Sequence, residues 1–219
     1  MRSLAAGLIA LVTTYLGVCI ALLGLYAQWH PPATGVQLQR QVEAFWADAS
    51  YTVRSTPVPA SAISDHLEHA VVAAEDARFY THHGIDWLAI REAVEDNLER
   101  GTARRGGSSI TQQLVKNLFM TTHSTLLRKA LEVPLAYAAD LILSKDRIVE
   151  LYLNVVEWGP GVFGAEAAAR HHYGLSADAL SRYQSAALAA CLPNPRQRVP
   201  ARMTRYTRQI LVRMAQHGW

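Results

Sequence analysis

The chain has 219 residues, of which 50% are hydrophobic and 18% charged, and it carries a formal net charge of +3. That composition is enough to bury a core and excludes a disordered polymer, and so small a positive charge does not mark a nucleic-acid binder. Two cysteines, Cys19 and Cys191, do not make a disulfide framework.

The N-terminal stretch is the most apolar part of the chain. From Ser3 to Trp29 there is no Asp, Glu, Lys, Arg or His, and Leu4 to Ala27 is dominated by Leu, Ala, Val, Ile and Gly. As a helix this segment reaches roughly 36 Å, enough to cross a hydrocarbon layer of about 30 Å. The run is longer than the usual apolar part of a cleaved signal peptide, about 7–15 residues, so residues 1–29 read as an uncleaved transmembrane signal-anchor. With Arg2 alone before the span, charge orients it only weakly.

Residues 30–62 carry His30-Pro31-Pro32 and Pro57-Val58-Pro59 and read as a linker and extended entry segment, with a short amphipathic piece at Val42, Phe45 and Trp46. Residues 63–219 form the expected main domain. Ile63, Leu67, Val71 and Ala74 recur at helical steps. Glu75 lies four residues after Val71, on the apolar side of that helix, and Asp76 is rotated about 100° away. Desolvation and the negative helix end both raise the proton affinity expected of Glu75, which suits it to proton transfer near neutral pH. Asp76 is free to turn back to Arg78 or to backbone amides.

Asp86 is placed to cap a helix whose apolar face is Trp87, Ile90, Val94 and Leu98, ending at Gly101. Arg104-Arg105-Gly106-Gly107 precedes Ser108-Ser109-Ile110-Thr111-Gln112-Gln113. Exposed amides at this helix start, with the nearby hydroxyls and arginines, would form a phosphate-friendly site, Lys116 lying two turns further on. Arg128 and Glu132 share a helix face at i,i+4, next to Lys129. Pro134 is expected to kink that helix, and helices over Lys145–Asn154, Ala165–Tyr173 and Ala177–Leu192 complete a mostly helical domain without strand alternation. His66, His69, His82, His83, His171 and His172 offer no metal-binding spacing such as HExxH, so structural roles are expected. The six arginines from Arg196 to Arg213 read as a solvated amphipathic terminal helix that could also face anionic lipid headgroups.

Taken together, Glu75-Asp76-Ala77-Arg78-Phe79 with His82 or His83 and Gly84, then Gly107 to Gln113 with Lys116-Asn117, Arg128-Lys129-x-x-Glu132, and Lys145-x-x-Ile148-x-x-x-Tyr152-Leu153-Asn154 resemble the ordered signature of the peptidoglycan glycosyltransferases over about residues 65–195. These occur as the N-terminal half of class A penicillin-binding proteins and as membrane-anchored monofunctional forms. None of the three lysines stands in a Ser-x-x-Lys motif, so the chain looks like the monofunctional kind, without a transpeptidase domain.

The resemblance implies a mostly α fold, a lysozyme-like helical catalytic domain preceded by one transmembrane helix. It implies polymerisation of lipid II into β-1,4-linked glycan with inversion at the donor sugar and release of polyprenyl diphosphate. Glu75 and Glu132 match the family's catalytic carboxylates, the first as general base and the second in assisting or positioning the leaving group. Asp76, Ser109, Gln112, Gln113, Lys116, Arg128 and Lys129 match its substrate-binding surround. No protein-bound metal and no obligatory cofactor are expected, with a divalent cation such as Mg able to ride on the substrate pyrophosphate. The expected partners are lipid II, the growing glycan strand, the membrane and other cell-wall synthesis proteins, with no nucleic acid. The expected location is the cytoplasmic (inner) membrane, single-pass, with the catalytic domain on the outer, periplasmic side. Ser124 departs from the family, which usually carries an arginine there. Two other readings use the same residues: a lysozyme-like enzyme that cleaves glycan, and a non-catalytic membrane-anchored cell-wall scaffold. The anchor, the cationic surround and the four ordered motifs favour synthesis.

Overall fold

The computed structural model describes residues 2–101 and 107–219, so Arg104, Arg105 and Gly106 lie outside the described residues. Helix α1 spans Arg2–Tyr26, and its stretch Ala5–Tyr26 is long and apolar enough to cross a membrane. Most of it is exposed, but Cys19 and Leu23 are buried, with Tyr15, Leu16 and Tyr26 packed beside them. These residues recur at three- and four-residue steps, so one helix face is committed to protein and the rest is exposed and apolar.

The segment read from sequence as an extended entry instead contains a helix, α2, over Gly35–Trp46. A capping box explains its start: Thr34 accepts from Gln37 N, and the Gln37 side chain accepts from Thr34 N. Val36 and Ala44 are buried, whereas Phe45 and Trp46 stand in solvent at 77% and 80% exposure.

The remaining elements are β1 Arg54–Ser55, α3 Asp65–Glu75, α4 Trp87–Arg100, α5 Ile110–Phe119, α6 Leu126–Ile142 and α7 Lys145–Val155, followed by β2 Glu157–Gly159, β3 Val162–Phe163, α8 Ala165–Tyr173, α9 Arg182–Ala189 and α10 Thr204–Gln216. The three strands, not anticipated from alternation, form a small sheet in the order β1-β3-β2. Arg54 pairs with Val162 in parallel, and Glu157 pairs with Phe163 antiparallel. At two or three residues each, these strands are too short to carry a period-2 signal. Pro134 lies inside α6, which continues through it to Ile142.

Helix α3 packs against α9 and α10, while α5 packs against α2, α6 and α7. Trp158, Tyr152, Phe79, Phe163, Leu67 and Leu114 are fully buried among them. Each apolar side chain so removed from water contributes about 1.5–3 kcal/mol, and α3 and α5 are both fastened into this one core.

The membrane-type helix is tied to this body. Helix α1 packs on α6, the Tyr15 hydroxyl donates to Phe119 O at 2.8 Å, and the Tyr26 and Phe119 rings stack at 6.3 Å. Arg147 donates from Nε to Tyr26 O and from Nη2 to Trp29 O, each at 2.9 Å. A cation thus satisfies carbonyls at the C-terminal end of α1, where the helix dipole favours positive charge.

Candidate active site

Glu75 is the last residue of α3, half-buried at the edge of a cleft of about 550 Å³. The apolar face before it, Leu67, Ala70, Val71, Val72 and Ala73, fastens the helix into the core. Burial pushes the Glu75 carboxyl above its ordinary range, with a hydrogen bond from Gln113 and the charges of Lys116 and Arg198 opposing that rise. The Gln113 amide donates from Nε2 to Glu75 Oε2 at 2.8 Å, and the buried Tyr152 hydroxyl donates to Gln113 Oε1 at 3.0 Å. The tyrosine therefore fixes which end of the amide faces the glutamate. This partner on α7 was hidden in a motif that sequence reading could not assign to the site.

Asp76 has a different task. It does not turn to Arg78, whose guanidinium goes to Asp86 and Glu92. Its Oδ2 accepts from Ile110 N at 2.9 Å, and His82 Nε2 lies 2.9 Å from the same oxygen. The chain's own carboxylate thus occupies the start of α5, and the expectation of exposed amides open to phosphate is overturned. Ser109 accepts from Gln112 N and donates to Gly84 O at 2.5 Å, while the Gln112 side chain accepts from Ser109 N. Ser109, Gln112 and Thr111 are buried. Gly84 reaches that contact at φ +73°, where an added Cβ would meet Ala136 O at 2.7 Å. Ser109, Gln112 and Asp76 therefore hold the α3–α5 junction with all the polar atoms just named.

The cations gather from α5 and α6. Glu132 is 1% exposed and ion-paired with both Arg128 and Lys129, the latter at 2.8 Å. Lys129 also donates to Ser108 Oγ at 2.9 Å, and Ser108 lines the cleft that holds Glu75. Burial lowers the proton affinity of Lys116; Arg128 and Lys129 add to that effect, while Glu132 and Glu75 oppose it. Lys116, Arg128, Lys129 and Glu132 thus form one mutually interacting group, of which Lys116 is within electrostatic reach of Glu75. Such a group suits an oxyanion better than a neutral ligand.

Asp76, His82 and Asp86 bring possible metal-ligand atoms within 4.8 Å of one another. Asp76 already accepts from Ile110 N and meets His82, and Asp86 accepts from Ala89 N and Arg78. With Arg78 inserted and the oxygens engaged, this set fits a hydrogen-bonded junction better than a cation cage.

Two cleft residues and one charge acting on the cleft were missed in the sequence. Tyr206 and Arg213 of α10 line the cleft, and Arg198 acts on Glu75 electrostatically. The arginine-rich tail looked like a solvated helix, and nothing in its periodicity reported that its inner edge meets the end of α3.

A half-buried glutamate beside clustered cations on a helical domain is an arrangement suited to glycosyl transfer. The chain belongs to the transglycosylase family, whose model matches residues 35–216. It is similar to the biosynthetic peptidoglycan transglycosylase of Nitrosospira multiformis, 44% identical over 196 residues, covering 87% of this chain and 85% of that protein. The protein of that name from Bordetella pertussis is 50% identical over 175 residues, covering 78% and 72%. That from Bordetella avium is 44% identical over 213 residues, covering 94% and 89%.

Proposed function

We infer that this chain is a peptidoglycan glycosyltransferase that extends glycan strands from lipid II, with Glu75 as general base. The 4-hydroxyl oxygen of the acceptor N-acetylglucosamine attacks the anomeric carbon of the donor N-acetylmuramic acid. Glu75 takes the hydroxyl proton as the new C–O bond forms. The bond from that carbon to the pyrophosphate oxygen breaks on the opposite face, so the configuration inverts and polyprenyl diphosphate leaves with the electron pair.

The observation that carries this reading is the setting of Glu75: a carboxyl raised by burial, oriented by Gln113, and within electrostatic reach of Lys116. A base of raised proton affinity removes the hydroxyl proton more effectively near neutral pH than an ordinary carboxylate. Lys116, Arg128 and Lys129 meet the charge that grows on the leaving pyrophosphate. Both Arg128 and Lys129 lean on Glu132, so this second carboxylate acts by aiming cations. Asp76, Ser109 and Gln112 act from behind, holding α5 so that Gln113 faces the cleft and Lys116 stays within electrostatic reach of Glu75. Helix α1 serves as a single-pass anchor in the cytoplasmic membrane, with the catalytic domain on the outer side where lipid II is polymerised.

The test is incubation of the detergent-solubilised full-length chain with labelled lipid II. Polymer that muramidase digests supports the reading, and absence of polymer, or cleavage of finished glycan instead, refutes it.

A further inference from the structure

The cations described so far come from α5 and α6, yet a second group reaches the cleft from the C-terminal part of the chain. Arg213 is exposed and lines the cleft together with Tyr206 and Glu75. Its Nη1 lies 3.5 Å from both Ala73 O and Ala74 O, in the last turn of α3. Arg198 donates to Ala190 O at 2.9 Å and sits 5.9 Å from the centre of the Tyr206 ring. Among the described residues neither arginine has a carboxylate within 4.0 Å, whereas Arg128 and Lys129 share Glu132 and Arg78 holds Asp86. Two long contacts to carbonyls leave most of the five N–H donors of Arg213 without a partner of opposite charge.

We propose that Arg213, supported by Arg198 and Tyr206, forms a second anion-binding wall that holds an oxyanion of the acceptor substrate. The proposal rests on the glycosyltransferase reading and deepens it. Glycosyl transfer between two lipid-linked sugars brings two anionic molecules to one base. The donor's pyrophosphate departs toward Lys116, Arg128 and Lys129, and the acceptor keeps its own charges throughout. A cleft with one cationic group would set the two molecules in competition for it. Two groups from separate elements, α5–α6 and the segment from Arg198 to Arg213, give each molecule its own. The bound group is a phosphate of the acceptor pyrophosphate or a carboxylate of its peptide, since a guanidinium recognises both.

The test uses full-length protein, preformed labelled glycan on its lipid as donor, and lipid II as acceptor, each varied in turn. Arg213→Ala is expected to raise the acceptor KM about tenfold, the loss of one charge-assisted contact, with donor KM unchanged and Arg213→Lys recovering part of the affinity. Repeating the titration with a peptide-free acceptor separates the sources: a persisting defect assigns the pyrophosphate, and a vanished one assigns the peptide carboxylate. An unchanged acceptor KM, or a fall confined to kcat that Arg213→Lys does not relieve, would reduce Arg213 to a cap on α3 and overturn the proposal. Glu75→Gln run in parallel keeps the two readings apart. Wild type without polymer fails both, whereas an active wild type, an inactive Glu75→Gln and an unaltered acceptor KM fail the second wall alone.

Discussion

The side-chain amide of Gln113 lies 2.8 Å from Glu75 Oε2, joining the last residue of α3 to the first turn of α5. This amide is aimed by Tyr152, whose hydroxyl takes the other end at 3.0 Å. Tyr152→Phe keeps the buried ring and removes only that hydroxyl. The expected result is a fall in kcat of about three- to tenfold with KM little changed, and a stability loss of about 1 kcal/mol. Initial rates over a range of lipid II concentration check it, and an unchanged kcat contradicts it.

Burial raises the Glu75 carboxyl above its ordinary range, so the acid limb of activity should fall at higher pH than for a solvated glutamate, whose midpoint is about 4.3. Activity is lost as pH falls through the raised value, because the base becomes protonated. Stability runs the other way. A folded-state value above the unfolded one means that Glu75 contributes most below the unfolded value and loses that contribution as pH rises through the folded one. Glu75→Gln should therefore melt no lower than wild type near neutral pH while losing polymerisation. A lower melting temperature would contradict the burial argument.

Asp76 reaches Ile110 N across thirty-four residues of sequence and also meets His82. Asp76→Asn retains the shape and drops the charge that both contacts use. A loss of about 1–3 kcal/mol is expected, together with lower activity, since α5 carries Gln113 and Lys116. Chemical denaturation measures the first and kcat the second. An unaltered midpoint would mean that the junction does not depend on the carboxylate.

Ser124 is exposed immediately before Thr125, the residue that caps α6. Ser124→Arg is expected to lower the donor KM about three- to tenfold by adding a cation near Arg128. The gain is opposed by about 0.3–1 kcal/mol for placing positive charge at a helix N-terminus. A donor KM that stays the same or rises would show that the existing cations suffice.

Local pattern carried much of this architecture. The steps Leu67, Val71, Ala74 and Glu75 place the glutamate on a buried helix side, and Asp86 and Ser109 both cap the helices that follow them. The apolar run that becomes α1 was equally plain. Periodicity reports which side of an element is buried, however, and not which distant element covers it. Asp76 could therefore be read as turning to Arg78 or to backbone amides, but not as turning to the amide of Ile110 in particular, thirty-four residues away. The arginines of α10 are exposed, as read, but for the same reason the reach of Arg213 back to Ala73 and Ala74 was not legible. A segment with prolines at both ends concealed α2, whose Thr34–Gln37 capping box is visible only as a spacing of three.

The measurement closest to the central claim is conversion of labelled lipid II by the full-length chain, with wild type and Glu75→Gln assayed side by side at matched concentration and confirmed equal fold. Muramidase-sensitive polymer from wild type, with a loss of at least a hundredfold in the variant, is expected if Glu75 is the general base. Polymerisation by Glu75→Gln at a rate near wild type would contradict it, because the proton would then be leaving by another group.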